Sequence, residues 1–538
     1  MDYNSIIDSL SLEDLVGQVL CYDIYPKNTP EEIEEVFKKI RPGGIFLTGM
    51  NKELIAKYTE IANKYTKIPV IISSDIENGP ETAIVNSGML PHPMAWGATD
   101  DTSLIKQAGE ISAQICRKNG VHWTFAPVVD CNYNFQNTAG NIRCISDSPD
   151  HVIKIASAFV DGVQNNGYMA ATAKHFPGNG IDERNAHFVT TINPMSQEEW
   201  LNSYGKIYSS MIKNGVMSIM IGHDALPCFE DPNEIDPVLG PPPAVLSYNL
   251  MTKLLKEKLG FEGCVISDAM SMIGVASRVK NLNEVAVKFI KSGGDMVLFP
   301  EPEDFDNILN AVKSGEISIE RLKDAVKRVL KLKNFVKLFD NQEEIANNIQ
   351  TISTVDEIGQ NIADKSVKVV RDLDGLIPAK LEKGSKILLA NIVEPYYHAK
   401  PSEHEFDALK NELEKYGMIV DVVTNINHRK AQEIMYNYDL LLVNCNFSSQ
   451  TYHGASMRVG WNNIHVFWRG YILQHPKLIF ISFGDPYKLY DFPYLKTYIN
   501  AFSHSEMSQR AVAKLVLGKI NCVAKNPVSF KNFFEREV

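Results

Sequence analysis

Lys174, His175 and, seven residues after Gly180, His187 place one cation and two imidazoles around a loop punctuated by Pro177, Gly178 and Gly180. The apolar run around Met169–Ala173 leads directly into them, so the charged groups stand where a strand ends and a loop begins. That is how α/β enzymes present reactive groups at the carboxyl edge of a sheet. An unperturbed imidazole titrates at about 6.5, so His187 can give and take a proton near neutrality; the plainer reading is a hydrogen-bonded loop histidine. Asp268 ends the apolar run Cys264–Ser267 and offers a carboxylate, or else an N-cap for the helix after it. In Ser74-Asp75-Ile76-Glu77-Asn78-Gly79, Asp75 closes another strand and can accept from two hydroxyl groups at once, unless it only forms an Asx-turn. His223-Asp224 invites a metal or acid/base reading, but hydrogen-bonded support of neighbouring groups is simpler. No phosphate-binding glycine loop, HExxH or nucleophile elbow is present.

Positioning such residues requires a repeating scaffold. Short β-branched runs predict strands at Gly17–Cys21, Gly44–Leu47, Val70–Ser74, Trp123–Pro127, Ala170–His175, Ser218–Gly222, Cys264–Asp268 and Met296–Phe299. Amphipathic segments at 29–40, 54–65, 102–119, 152–165 and 250–259 predict helices between them. Eight β/α units point to a (β/α)8 TIM-type barrel over residues 1–340. A polar stretch at 340–350 leaves the barrel, and residues 341–383 are expected as a linker. A second alternation, 384–538, predicts strands at 386–392, 419–423, 440–444, 478–483 and 497–501 with a helix at 405–416, an α/β sandwich domain.

At 538 residues the chain is too long for one core, and its 44% hydrophobic and 22% charged residues are those of a globular protein. A formal charge of −11 argues against a nucleic-acid or anionic-membrane surface, which would need clustered Lys and Arg. Eight widely spaced cysteines without a CxxC are expected to be reduced and mostly buried, not a zinc site. The opening residues lack the basic start and apolar run of a secretory signal, and no stretch reaches the ~18 apolar residues of a membrane span. A cytoplasmic location is expected, and the oligomeric state is left open.

Two motifs together carry a family resemblance. Lys174-His175-Phe176-Pro177-Gly178 with the loop His187, and Gly260-Phe261-Glu262-Gly263-Cys264-Val265-Ile266-Ser267-Asp268, resemble the KHFPG and GFxGxVISD signatures of family 3 glycoside hydrolases. The D-x-E-x-G segment at Asp75 and the Phe125–Asp130 strand agree, as does the tail around 482–503. The resemblance is strongest to the β-N-acetylhexosaminidase branch. It implies a retaining exo-glycosidase for terminal β-linked N-acetylglucosamine, with Asp268 as nucleophile and His187 as acid/base, and without metal or cofactor. Asp75, Lys174, His175 and, more loosely matched, Arg143 would hold the sugar, with His223 supporting the rim.

The chain departs from that branch at two places. Asn185 stands where the branch has the aspartate that orients the histidine, so the carbonyl can orient the ring but supplies no charge; Asp182 and Glu183 are the nearby carboxylates. Ala83 stands near an arginine position of the branch, pointing to a different aglycone. The alternatives are a β-glucosidase or β-xylosidase of the same family, whose acid/base glutamate would be Glu403 or Glu405, and a catalytically weak sugar-binding homologue. Trp96 and Trp123 are read as core residues, although either could stack on a sugar. A neutral imidazole base would also admit phosphate to the glycosyl-enzyme, where a carboxylate would repel it.

Overall fold

The computed structural model describes residues 1–233, 235–393, 404–447 and 464–530. They divide into two compact units. The first comprises Met1–Met89, Ile105–Cys131 and Val152–Val355; the second comprises Leu90–Leu104, Asn132–His151 and the described residues from Asp356 on.

In the first unit eight short strands run parallel: β1 (Leu20–Ile24), β2 (Gly44–Leu47), β3 (Ile71–Ser74), β4 (Trp123–Thr124), β5 (Thr172–Phe176), β6 (Ser218–Ile221), β7 (Cys264–Ser267) and β8 (Val297–Leu298). They pair in the orders β8-β1-β2-β3-β4 and β5-β6-β7. Bridges Trp123–Ala170 and Ile266–Met296 join the two sets at both edges, closing a (β/α)8 barrel. Strands β2, β3, β6 and β7 are buried along their whole length, which is why they read as continuous apolar runs and not as alternating ones. Phe46, Ile71, Trp123, Phe125, Met220, Ile266 and Met296 belong to one buried cluster. Gly44 leaves room there: a Cβ on it would stand 3.2 Å from the Cys21 sulfur and 3.3 Å from the Ile71 side chain.

The helices obey ordinary end rules. Pro30–Ile40 starts on a reciprocal Thr29/Glu32 capping box with proline in its first turn, and buries Ile33, Phe37 and Ile40 along one stripe. Each such side chain contributes about 1.5–3 kcal/mol on burial. The expected first strand at 17–21 begins later, at Leu20. A Ser11/Asp14 capping box starts a helix that runs through Gly17 to Gln18, and a Cβ on Gly17 would lie 2.2 Å from the Arg41 carbonyl.

The second unit holds a six-stranded sheet: β9 (Lys368–Asp372), β10 (Lys386–Val393), β11 (Ile419–Thr424), β12 (Leu440–Asn446), β13 (Leu478–Ser482) and β14 (Thr497–Asn500), in the order β9-β14-β13-β12-β10-β11. All neighbours are parallel except β9 and β14. Ile387, Leu389, Leu442, Ile479 and Ile481 pack with helices Asp407–Lys415 and Glu506–Val516 in its core. Five of these strands match the expectation and β9 does not. It lies within 341–383, the stretch expected as a linker, which also carries helices Gln342–Asn348 and Val355–Ser366. β9 has a single neighbour and charged ends, so its sequence lacks the apolar run of a central strand.

None of the eight cysteines forms a disulfide, and six are buried. No helix among the described residues is long and apolar enough to cross a membrane.

Candidate active site

The carboxyl ends of β3, β5 and β7 carry Asp75, Lys174 with His175, and Asp268. Lys174 is only 2% exposed, so its ammonium needs compensation. It receives two carboxylates: Nζ stands 2.7 Å from Asp75 Oδ1 and 2.7 Å from Glu77 Oε1. One cation between two anions fixes both acidic side chains. Asp75 keeps 42% of its side-chain surface exposed, as a group that meets a ligand would.

His175 is oriented by Asp130, a buried carboxylate beyond β4. Asp130 Oδ2 is 2.7 Å from His175 Nδ1, and its oxygens accept from the His175 N–H at 3.2 Å and the Asn179 N–H at 2.8 Å. The loop after β5 is then fastened to Asp224, whose Oδ1 accepts from Asn179 Nδ2 at 3.0 Å and Thr191 Oγ1 at 2.5 Å. Burial pushes the Asp224 carboxyl up to about 7; Asp130 adds to the rise, while the Thr191 and Asn179 hydrogen bonds and His175 oppose it. Gly178 and Gly180 have φ of 118° and 111°, and a Cβ on Gly180 would lie 1.9 Å from the Cys131 carbonyl, so this turn requires glycine.

His187 lies on the same loop. Its backbone N–H donates to Asn185 Oδ1 at 3.0 Å, and its Nδ1 is 2.7 Å from that same oxygen. An amide oxygen can only accept, so the ring carries a proton on Nδ1 and its acid/base exchange falls to Nε2. Asp182 is engaged by the Arg184 guanidinium and by the Ile192 N–H at 2.9 Å, and Glu183 is exposed. The loop is pinned to the segment after β7: Thr190 Oγ1 donates to the Gly274 carbonyl at 2.6 Å. A Cβ on Gly274 would stand 2.4 Å from the Ala186 carbonyl and 3.1 Å from that of Val189.

Asp268 accepts from the Ala269 N–H at 2.7 Å. Burial works against its charge, but the imidazoles of His223, His175 and His187, with that N–H, hold its carboxyl below the ordinary range. The three histidines therefore converge electrostatically on one carboxylate. His223 is fully buried, and its Nε2 is 3.0 Å from the Ala269 carbonyl, to which it donates. Burial lowers its pKa, against the pull of Asp268.

Several of the remaining candidates belong to the second unit. Arg143 belongs to the second unit, in the one-turn helix Asn141–Arg143, and its Nη1 donates to the Ala139 carbonyl at 2.9 Å. Glu405 belongs to that unit too and accepts from Asn446 Nδ2 at 2.5 Å; Glu403 lies outside the described residues. Trp96 and Trp123 are fully buried, their indole N–H groups donating to Pro91 O and Thr172 Oγ1 at 2.7 Å each, so both are core residues. Sequence reasoning gave no role to Glu77, Asp130 or Asn179, and read Asp224 only as half of a His-Asp pair. Glu77 and Asp130 carried a usable signal, an acidic residue just past an apolar strand; the other two are defined only by their partners.

The chain matches the model of the glycosyl hydrolase family 3 N-terminal domain over residues 11–332. It is 27% identical over 540 residues to a β-N-acetylglucosaminidase/β-glucosidase of Cellulomonas fimi, covering 96% of this chain and 93% of that one. Among solved structures it is similar to the β-glucoside phosphorylase BglX bound to 2FGlc, with a TM-score of 0.87 and 28% identity over 98% of this chain and 96% of that one. It is also similar to a family 3 β-N-acetylglucosaminidase from Paenibacillus sp. str. FPU-7, with a TM-score of 0.84 and 25% identity over 97% and 99% of the two chains.

Proposed function

The chain belongs to glycosyl hydrolase family 3 and is a glycosidase, and from that premise we propose that it releases a terminal β-linked N-acetylglucosamine with retention of configuration. The observation that carries this reading is the gathering of Asp75, Lys174, His175 and Asp268 at the carboxyl ends of β3, β5 and β7, with Asn185 on the loop after β5 fixing the His187 tautomer. In the first step Asp268 attacks the anomeric carbon while His187 Nε2 gives its proton to the departing oxygen. In the second, His187 takes a proton from water, which attacks the same carbon and frees Asp268. Asp75, Lys174 and His175 hold the sugar hydroxyls. A depressed pKa keeps Asp268 ionised throughout the neutral range, as a nucleophile requires.

A second reading has its own support: phosphate in place of water as the acceptor, giving a sugar phosphate. Asn185 gives the His187 ring a neutral amide oxygen where the resembling branch has a carboxylate, so one source of repulsion toward an anion is missing. The similarity to a β-glucoside phosphorylase points the same way, and with the Cellulomonas relative it makes glucose the alternative sugar. Assaying a panel of nitrophenyl β-glycosides, with and without inorganic phosphate, tests both. Release from the N-acetylglucosaminide is expected. If only glucoside or xyloside is cleaved, the sugar assignment is wrong; if no glycoside is cleaved, the chain is a binding homologue. Accumulation of sugar 1-phosphate selects phosphorolysis.

A further inference from the structure

The His223-Asp224 pair stands just past β6, and the reaction proposed above gives Asp224 no part. Its side chain is buried, and no lysine or arginine among the described residues forms an ion pair with it. Burying a carboxyl group without a cation is costly, so the position calls for more than the filling of space. Its two side-chain partners supply the reason. Asn179 Nδ2 and Thr191 Oγ1 both donate to Asp224 Oδ1, at 3.0 and 2.5 Å. Asn179 opens the segment that carries His187, directly after the Pro177-Gly178 turn, and Thr191 closes it. One oxygen therefore holds both ends of the acid/base loop.

The backbone around this contact repeats the closure. Thr191 and Ile192 pair in parallel with Asp224 and Ala225, and the Asn193 N–H donates to the Ala225 carbonyl at 2.9 Å. Asn193 Nδ2 donates to the Gly178 carbonyl at 3.1 Å, across the same neck. Farther out, Glu183, Arg184 and Phe188 are exposed, so the middle of the loop is placed largely by its ends. The residue beside Asp224 faces the other catalytic group: His223 Nε2 donates to the carbonyl of Ala269, which follows Asp268. Adjacent residues thus hold the proton donor's segment and the nucleophile's segment. Double displacement needs those two groups at a fixed separation about one anomeric carbon.

We infer that Asp224 is a positioning residue for the reaction: by joining Asn179 to Thr191 it sets where His187 Nε2 meets the leaving oxygen. What the position requires is an oxygen that accepts two hydrogen bonds, not a negative charge. The inference rests on His187 as the acid/base and goes further in naming the group that places it.

The test compares kcat/KM, which reports the steps through glycosylation, on two substrates of the same sugar. One is a nitrophenyl β-glycoside, whose leaving group departs without a proton; the other is the unactivated β-linked disaccharide. Asp224→Ala should slow the disaccharide roughly 10- to 100-fold, as expected for a displaced reacting group, and the nitrophenyl glycoside less than about threefold. Asp224→Asn keeps the accepting oxygen and should restore most of the disaccharide activity. Thr191→Val removes one of the two hydrogen bonds at nearly constant volume. It should show a smaller loss with the same selectivity, which covers an Asp224→Ala protein that does not fold. His187→Ala is the reference, and adding Asp224→Ala to it should cost the disaccharide no more than about threefold further. If His187→Ala is selective for the disaccharide but Asp224→Ala and Thr191→Val are not, the inference alone is overturned. Asp224→Asn as slow as Asp224→Ala would overturn it too. Equal loss on both substrates in His187→Ala would instead bring down the acid/base reading, and the positioning role with it.

Discussion

Asn185 concentrates the residue-scale question, because it orients His187 without supplying charge. Asn185→Asp adds an anion beside the ring, so the imidazole pKa should rise. The basic limb of the proton-donating step and the acidic limb of the proton-accepting step should both move to higher pH. Profiles that superimpose on wild type would separate Asn185 from the chemistry. His187→Ala should slow an unactivated disaccharide by roughly 10²–10⁴-fold, yet barely slow glycosylation from a nitrophenyl substrate whose leaving group needs no proton. Equal loss on both substrates would assign His187 a structural role instead. Asp224 gives a stability test. Its carboxyl, raised to about 7 by burial, keeps a proton that the unfolded chain releases near 3.8. That contribution is complete below about 4, is lost as pH climbs toward 7 and is constant above. Asp224→Asn resembles the protonated acid, so its melting temperature should gain on wild type steadily from pH 4 to pH 7; parallel curves would contradict the shift. Asp268, Asp75, Lys174 and His175 were legible because each ends an apolar run beside a glycine or a turn. Asp130 and Asp224 were not, since their partners His175 and Asn179 each lie 45 residues away in sequence.

At the scale of elements, the loop after β5 and the segment after β7 must be held together if a proton donor and a nucleophile are to act on one bond. Gly274 and Thr190 form that joint. Gly274→Ala would set a methyl group against the Ala186 carbonyl and push the histidine loop away. Activity on unactivated substrates should fall more than activity on nitrophenyl glycosides, because only the former need His187 in place. Circular dichroism would confirm the fold, and an unchanged ratio of the two activities would count against the joint. Barrel strands were readable from sequence because they are buried on both faces and bounded by turns. The start of β1 was misjudged because Val16 and Gly17 continue an apolar run that a capping box had already committed to helix. β9 escaped because an edge strand with one antiparallel neighbour needs little apolar sequence.

Taken as a whole molecule, each unit has its own buried core, one inside the closed barrel and one on the six-stranded sheet. Strand count and spacing made both architectures legible in advance. Membership of 90–104 and 132–151 in the second unit, Arg143 included, was not legible, because it follows from long-range packing alone. The account rests on a double displacement at Asp268, which requires a covalent sugar ester on that side chain. The direct test is trapping with a 5-fluoro glycosyl fluoride of the released sugar, followed by peptide mapping of the labelled protein. One sugar per chain on the peptide containing Asp268, absent in Asp268→Ala, is the result expected if the proposal holds. A label on any other carboxylate, or turnover with inverted product and no label, would contradict it.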